Sequence, residues 1–205
     1  MSLIPKKGTV YVVDDDEAVR DSLQALLEAR HHVAKTYPSA EAFLAAHSAP
    51  PAGCAIIDVR MPGMDGITLL GRLRERGAAL PVIVVTGHGD IPLAVQAMKA
   101  GAVDFVEKPY SNDTIVEAVR RALATAPADT GGGSPAEIAA RIAALTPRER
   151  DVMDQLIIGN PNKNIAFELK ISPRTVEIHR ANLMKKMQAD SLSHLVRMAL
   201  AAKGR

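Results

Sequence analysis

The sequence predicts an α/β domain with a five-stranded, doubly wound parallel sheet, followed by a small all-α domain of four short helices. Three observations predict it. Apolar, β-branched runs alternate with helical periodicity as far as residue 124; a stretch rich in Gly, Ala and Pro then interrupts at 125–135; only helical periodicity follows. Charge divides at the same place: residues 1–124 hold 13 Lys and Arg against 15 Asp and Glu, whereas 125–205 hold 12 against 8. An acidic part and a basic part predict two domains, 1–124 and 136–205, with different partners.

Strands are expected at 9–14, 32–36, 55–59, 82–86 and 103–106. Helices are expected at 17–30, 40–47, 67–76, 91–100 and 113–124. Ala55-Ile56-Ile57 and Val82-Ile83-Val84-Val85 are continuous apolar runs, the pattern of strands buried on both faces. Repeated βα units of this length predict the flavodoxin-like strand order. Residues 125–135 read as a flexible linker and 136–144 as a helix. Thr146-Pro147-Arg148-Glu149 is a helix start, with Thr as N-cap, Pro at the first position and Glu three residues after the cap. Gly159 ends that helix. A short helix at 163–169, a turn at Lys170-Ile171-Ser172, a longer helix from Pro173 to about 187 and a last one at 192–201 follow.

Composition excludes several classes. At 205 residues with 47% apolar content the chain is globular. No window approaches the roughly 18 apolar residues of a membrane span. Met1 to Lys7 lack the apolar stretch of a secretory signal, so a cytoplasmic protein is expected. Cys54 is the only cysteine, which leaves no internal disulfide and reads as a small core residue. The second domain is too small for an enzyme core and suits a recognition module.

Polar residues mark four strand ends: Asp14 and Asp15 after the first, Asp58 at the third, Thr86 at the fourth and Lys108 after the fifth. Parallel strands bring these ends to one edge, where ligands bind in open α/β sheets. Carboxylates, a hydroxyl and an ammonium around a hard cation make a phosphoryl-transfer site, with Asp58 as nucleophile and Asp14 and Asp15 holding Mg²⁺. Asp16 is expected to cap the first helix. In a plainer alternative Lys108 and Asp58 form an ordinary ion pair and Thr86 caps a helix. Pro109 invites a cis bond after Lys108.

These residues resemble the receiver domain of bacterial two-component response regulators over about residues 8–124. The resemblance implies that Asp58 accepts phosphate from a sensor histidine kinase and that the chain is no enzyme beyond phosphorylating and slowly dephosphorylating itself there. It implies Mg²⁺ on Asp14, Asp15, Asp58 and the carbonyl of Arg60, phosphoryl contacts from Thr86 and Lys108, and Phe105 as an aromatic switch. It also implies a homodimer on phosphorylation, through the fourth helix and fifth strand. A rival uses the same acids differently. Asp14-x-Asp16 after an apolar strand also fits a haloacid-dehalogenase-type phosphatase with Asp14 as nucleophile, although the late acidic pair of that family is not evident after Lys108.

The 163–169 helix, its turn and the 173–187 helix form a helix-turn-helix pattern. Val176, Leu183 and Met187 share one face; Arg174, Glu177, Arg180, Ala181 and Lys185 lie outward, where they could meet phosphates and a major groove. Residues 145–201 are similar to the DNA-binding domain of LuxR-type regulators. That resemblance implies backbone contacts from Asn162, Lys163, Arg174, Thr175, His179 and Lys186, and base readout by Glu177, Arg180 and Ala181. Asn164 stands where many relatives carry an acid. Together the halves resemble nitrogen-fixation response regulators, through Tyr11-Val12-Val13-Asp14-Asp15-Asp16, Asp58-Val59-Arg60-Met61-Pro62-Gly63-Met64-Asp65-Gly66, Thr86-Gly87-His88-Gly89-Asp90 and Gly101-Ala102-Val103-Asp104-Phe105. The partners implied are an oxygen-responsive haem sensor kinase, promoter DNA of nitrogen-fixation genes and RNA polymerase, with no membrane.

Overall fold

The computed structural model describes residues 8–49, 51–77, 79–87, 91–124 and 133–203. Most of the expected linker, 125–132, lies outside the described residues, as do His88, Gly89 and Asp90. The elements run β1 (Thr9–Val13), α1 (Glu17–Ala29), β2 (Val33–Tyr37), α2 (Ala40–Ala46), β3 (Cys54–Asp58), α3 (Gly66–Glu75), β4 (Val82–Thr86), α4 (Ile91–Lys99), β5 (Asp104–Glu107) and α5 (Asn112–Ala124). They continue with α6 (Pro135–Ala143), α7 (Pro147–Ile158), α8 (Asn162–Leu169), α9 (Pro173–Met187) and α10 (Leu192–Lys203). The first compact unit holds the strands with α1, α2, α3 and α5; the second holds α4 and α6 to α10.

The sheet is parallel throughout, in the order β2-β1-β3-β4-β5. This is the flavodoxin-like order expected from the βα alternation. Every residue of β3 and β4 is buried, as their unbroken apolar runs require. β2 lies at an edge, and its exposed Lys35 discourages pairing with another chain. Several strands sit one residue from their expected bounds. The ladder decides: Val10 pairs with Cys54, and Thr86 with Glu107, so each partner joins its strand whatever its polarity.

On one face Val10, Val12, Ile56, Ile83 and Val85 pack with Leu23 and Leu27 of α1 and with Ile115, Ala118, Val119 and Ala122 of α5. Cys54 belongs to this core, and burial pushes its thiol up to about 12, which leaves it inert. Side-chain alternation sends Tyr11, Val13, Ile57 and Val84 to the other face. There Phe43 of α2 is fully buried in an aromatic cluster. Its ring centroid lies 5.1 Å from that of Tyr37, 5.8 Å from Tyr11 and 4.9 Å from His47. Asp16 caps α1 as expected, accepting from the Ala18 amide at 2.9 Å.

In the second unit α6 and α7 each begin with a complete capping box, Ser134 with Glu137 and Thr146 with Glu149. Gly159 ends α7 in the left-handed region at φ 102°. Lys170 ends α8 in the same region, and the Ile171 amide returns to the Ala166 carbonyl at 3.0 Å. Ser172 then caps α9 through the Thr175 amide at 3.0 Å. This is the expected helix-turn-helix. Val176, Leu183 and Met187 face the core, with Ile138, Leu156, Ile165 and Leu195 also buried.

Phe43→Ala removes the centre of the aromatic cluster. It is expected to destabilise the protein by about 3–5 kcal/mol, measured by urea unfolding.

Candidate functional site

β1 and β3 are paired in parallel, with Val13 opposite Ile57. The next residues, Asp14 and Asp58, are therefore neighbours at one sheet edge. Both are buried, at 3% and 6% exposure. Backbone donors aim their carboxylates. Asp14 Oδ1 accepts from the Asp16 amide at 2.9 Å, and Asp58 Oδ2 accepts from the Arg60 amide at 2.7 Å. The remaining oxygens converge on one ammonium: Lys108 Nζ donates to Asp14 Oδ2 at 3.1 Å and to Asp58 Oδ1 at 2.7 Å. Lys108 is delivered by β5; its amide donates to the Thr86 carbonyl at 2.8 Å, and its bond to Pro109 is cis.

The field at this edge is uneven. Burial pushes the Asp58 carboxyl above its ordinary value; the bond and charge of Lys108 oppose that, and the Asp14 charge adds to it. Burial alone would lower the Lys108 ammonium, but the bonds and charges of Asp58 and Asp14 together raise it. Lys108 thus bonds two buried anions at once. The carboxylates of Asp14 and Asp58 suit a hard divalent cation, which would offset the Asp14 charge that adds to the burial penalty on Asp58. Asp15 is exposed beside them. Among the described residues no group of three His, Cys, Asp or Glu side chains is placed to hold a metal ion.

Thr86 is buried, with its hydroxyl 3.5 Å from the Gly87 carbonyl. Phe105 is partly buried and pairs with Val84. Val85 and Val106 lie in the α1 and α5 core, so alternation puts Thr86 and Phe105 together on the opposite face. Sequence reasoning passed over three neighbours. Arg20 donates to the carbonyls of Asp14 and Asp15 at 2.9 Å each. Glu41 accepts from the Met64 amide at 2.9 Å and steadies the loop after Asp58. Burial raises the Tyr110 phenol, which also feels the charges of Lys108, Asp14 and Asp58. Only Tyr110 had a local signal, as an aromatic just after Lys108-Pro109. Gly66 is also tied to the site: a Cβ there would land on the Asp58 carbonyl oxygen.

In the helix-turn-helix, Lys163 is exposed on α8, and Arg174, Glu177 and Ala181 are exposed on α9. Asn162, Thr175, His179 and Arg180 are partly buried. Arg174 pairs with Glu177 at 3.0 Å, and the Arg180 guanidinium donates to the Asn162 side chain at 3.4 Å. Thr175 shares a 2.8 Å bond with Ser172. Lys186, near the other end of α9, donates to Glu149 at 2.7 Å. Ile178, 51% exposed on α9, was also passed over; its signal is an apolar residue outside the 176, 183, 187 core face.

Comparison with known proteins fits both halves. Residues 10–120 match the response regulator receiver domain family, and residues 143–199 match the bacterial regulatory proteins of the luxR family. This chain is a response regulator. It is 51% identical over 197 residues to the transcriptional regulatory protein FixJ of Bradyrhizobium diazoefficiens, covering 96% of each chain. It is 52% identical over 196 residues to FixJ of Rhizobium meliloti, covering 94% of this chain and 95% of that one. The crystal structure of full-length FixJ from B. japonicum matches with a TM-score of 0.56 at 49% identity, covering 97% of this chain and 98% of that one. The response regulator therefore joins a receiver to a LuxR-type DNA-binding domain and regulates transcription in a phosphorylation-dependent way; it is not a classical enzyme. The phosphatase alternative is overturned by both family matches. Asp16, its required acid, instead caps α1. Among the described residues no helix is long and apolar enough to cross a membrane.

The raised Asp58 carboxyl has a consequence for stability. Its ionised form is less favourable folded than unfolded, so this group lowers stability as pH rises from the ordinary Asp range, near 3.8, through its raised folded value. Asp58→Asn is expected to melt higher than wild type at neutral pH, with the difference shrinking as pH falls towards 4. Melting curves at a series of pH values check this.

Proposed function

We propose that Asp58 is the phosphoacceptor of this response regulator and that its phosphorylation licenses the helix-turn-helix to act at promoters. The observation that carries the reading is the placing of Lys108 Nζ between two buried carboxylates, at 3.1 Å from Asp14 and 2.7 Å from Asp58. Asp14, Asp15, Asp58 and the Arg60 carbonyl would hold Mg²⁺. When bound, it neutralises charge on the carboxylates and on the incoming phosphoryl oxygens. The Asp58 carboxylate attacks phosphorus in line, and the bond from phosphorus to the donor histidine breaks as the acyl phosphate forms. Lys108 turns its ammonium from the carboxylate to a phosphoryl oxygen. Thr86 donates its hydroxyl to another, and Phe105, on the same sheet face, repacks with it. The same site hydrolyses its own phosphate slowly.

The further reading follows the family. Residues 1–124 act as receiver, 125–135 as linker and 136–205 as the DNA-binding domain. A sensor histidine kinase supplies the phosphate, the phosphorylated chain dimerises, and RNA polymerase is the target at the promoter. Likeness to FixJ supports nitrogen-fixation genes as the regulated set and the cytoplasm as the place of action. Asn162, Lys163, Arg174, Thr175 and His179 meet the DNA backbone, and Glu177, Arg180 and Ala181 read bases.

Acetyl phosphate with Mg²⁺ should label one residue, Asp58, located by borohydride trapping and mass spectrometry. Asp58→Asn or chelation of Mg²⁺ should abolish the label and the accompanying gain in promoter binding. A label on Asp14 with Asp58 untouched would sink the assignment.

Base and phosphate contacts should separate in a salt series on a selected and a scrambled duplex. Arg180→Ala should lose about 1–3 kcal/mol, mainly on the selected duplex. Lys163→Ala should weaken both duplexes alike and lower the salt slope by about one.

A further inference from the structure

Lys186 lies in the last turn of α9, and the family resemblance gives it a DNA-backbone contact. Its surroundings point elsewhere. Its ammonium donates to Glu149 Oε2 at 2.7 Å, and the two side chains are 37% and 5% exposed. Glu149 is already the third residue of the α7 capping box, accepting from the Thr146 amide at 2.8 Å while its own amide donates to the Thr146 hydroxyl at 3.3 Å. The same carboxylate therefore closes the start of α7 and holds the end of α9. A second cation acts on that end: Arg141 of α6 donates to the Met187 carbonyl at 3.3 Å. Met187 itself is fully buried. The C-terminal end of the recognition helix is thus fastened to α6 and α7 by charge as well as by packing.

Exposure decides which cations can leave for DNA. The Arg174–Glu177 pair is 82% and 52% exposed, so trading one partner for phosphate costs little. Drawing Lys186 away would leave a buried carboxylate without the cation that pairs with it, which is strongly unfavourable. We propose that Lys186 is a positioning residue, not a DNA contact: paired with Glu149, it sets the angle at which α9 enters the groove. This rests on the DNA-binding reading of the second domain. The Glu149 carboxyl is held below its ordinary range, first by the Lys186 hydrogen bond and then by the Thr146 amide, in keeping with a carboxylate that stays ionised and engaged.

The test uses the full chain treated with acetyl phosphate. The probes are a duplex selected by the wild-type protein from a random library and a scrambled duplex of the same composition. Glu149→Gln is the decisive variant: glutamine still closes a capping box but carries no charge, and residue 149 is not a proposed DNA contact. Glu149→Gln and Lys186→Met should each cut the preference for the selected duplex by about tenfold, the scale of one misplaced base contact. Their salt slopes should match wild type, and the double variant should be no worse than either single one. A salt slope lowered by about one in Lys186→Met, with Glu149→Gln binding normally, would overturn the proposal. If no variant, nor wild type, binds either duplex, the DNA-binding reading falls instead. A second measurement needs no variant. NMR titration of Glu149 in free and DNA-bound wild type should find it below the ordinary carboxylate range in both; a rise on binding would show that DNA has taken Lys186 and would refute the positioning role.

Discussion

Two aspartates are buried side by side at the sheet edge, and the Lys108 ammonium bonds both. The repulsion of Asp14 and Asp58 is the constraint on which the first domain is organised. Both carboxylates are almost fully shielded from water at the ends of two inner strands of the sheet. Lys108 offsets part of the repulsion, and the hydrogen bonds from the Asp16 and Arg60 amides offset more. Burial, with the Asp14 charge adding to it, still leaves the Asp58 carboxyl raised. An edge in this condition favours any further positive charge, and formation of the proposed Asp58 acyl phosphate would alter it.

The surrounding fold holds that edge in place. Lys108 lies 94 positions from Asp14 and 50 from Asp58 in the chain, so only sheet register brings them together. β3 and β4, buried on both faces, fix the centre of that register. Local backbone fixes the rest. Gly66 lets α3 start against the end of β3, its amide bonded to the Val59 carbonyl at 3.0 Å and its missing Cβ leaving room for the Asp58 carbonyl. Arg20 holds the two carbonyls of the acidic turn from the first turns of α1. Each tie is modest alone.

The sheet and its edge were legible in the sequence because both are written in local patterns. Apolar runs of β-branched residues marked the strands, and a polar residue after each run marked the edge. Asp14, Asp58 and Lys108 meet as those patterns required. Strand ends were less legible, since Cys54 and Glu107 join their strands through ladder partners far along the chain. Asp16 was readable as a cap because capping is a short-range matter. Arg20 and Glu41 were not, because they act on backbone groups and any polar residue on a helix face has the same sequence signature. In the second domain the capping box of Thr146 and Glu149 was plain from spacing. The ion pair from Glu149 to Lys186, 37 positions away, had no spacing signal, and Lys186 alone looks like any lysine on a basic helix.

That last case shows how a charge should be assigned in a small DNA-binding fold. Basic residues on a recognition helix are commonly read as a single electrostatic surface, but they are not equally free to act as one. A cation whose partner is itself exposed can exchange that partner for phosphate at little cost, as with Arg174 and Glu177. A cation whose partner is buried cannot, because the desolvated carboxylate would be left behind, as with Glu149. The distinction divides α9 along its length. Its first half, from Arg174 to Ala181, carries side chains able to change partners; its last turn is committed to α6 and α7. A helix fastened at one end and chemically available at the other can enter a groove at a defined angle without losing a rigid mount.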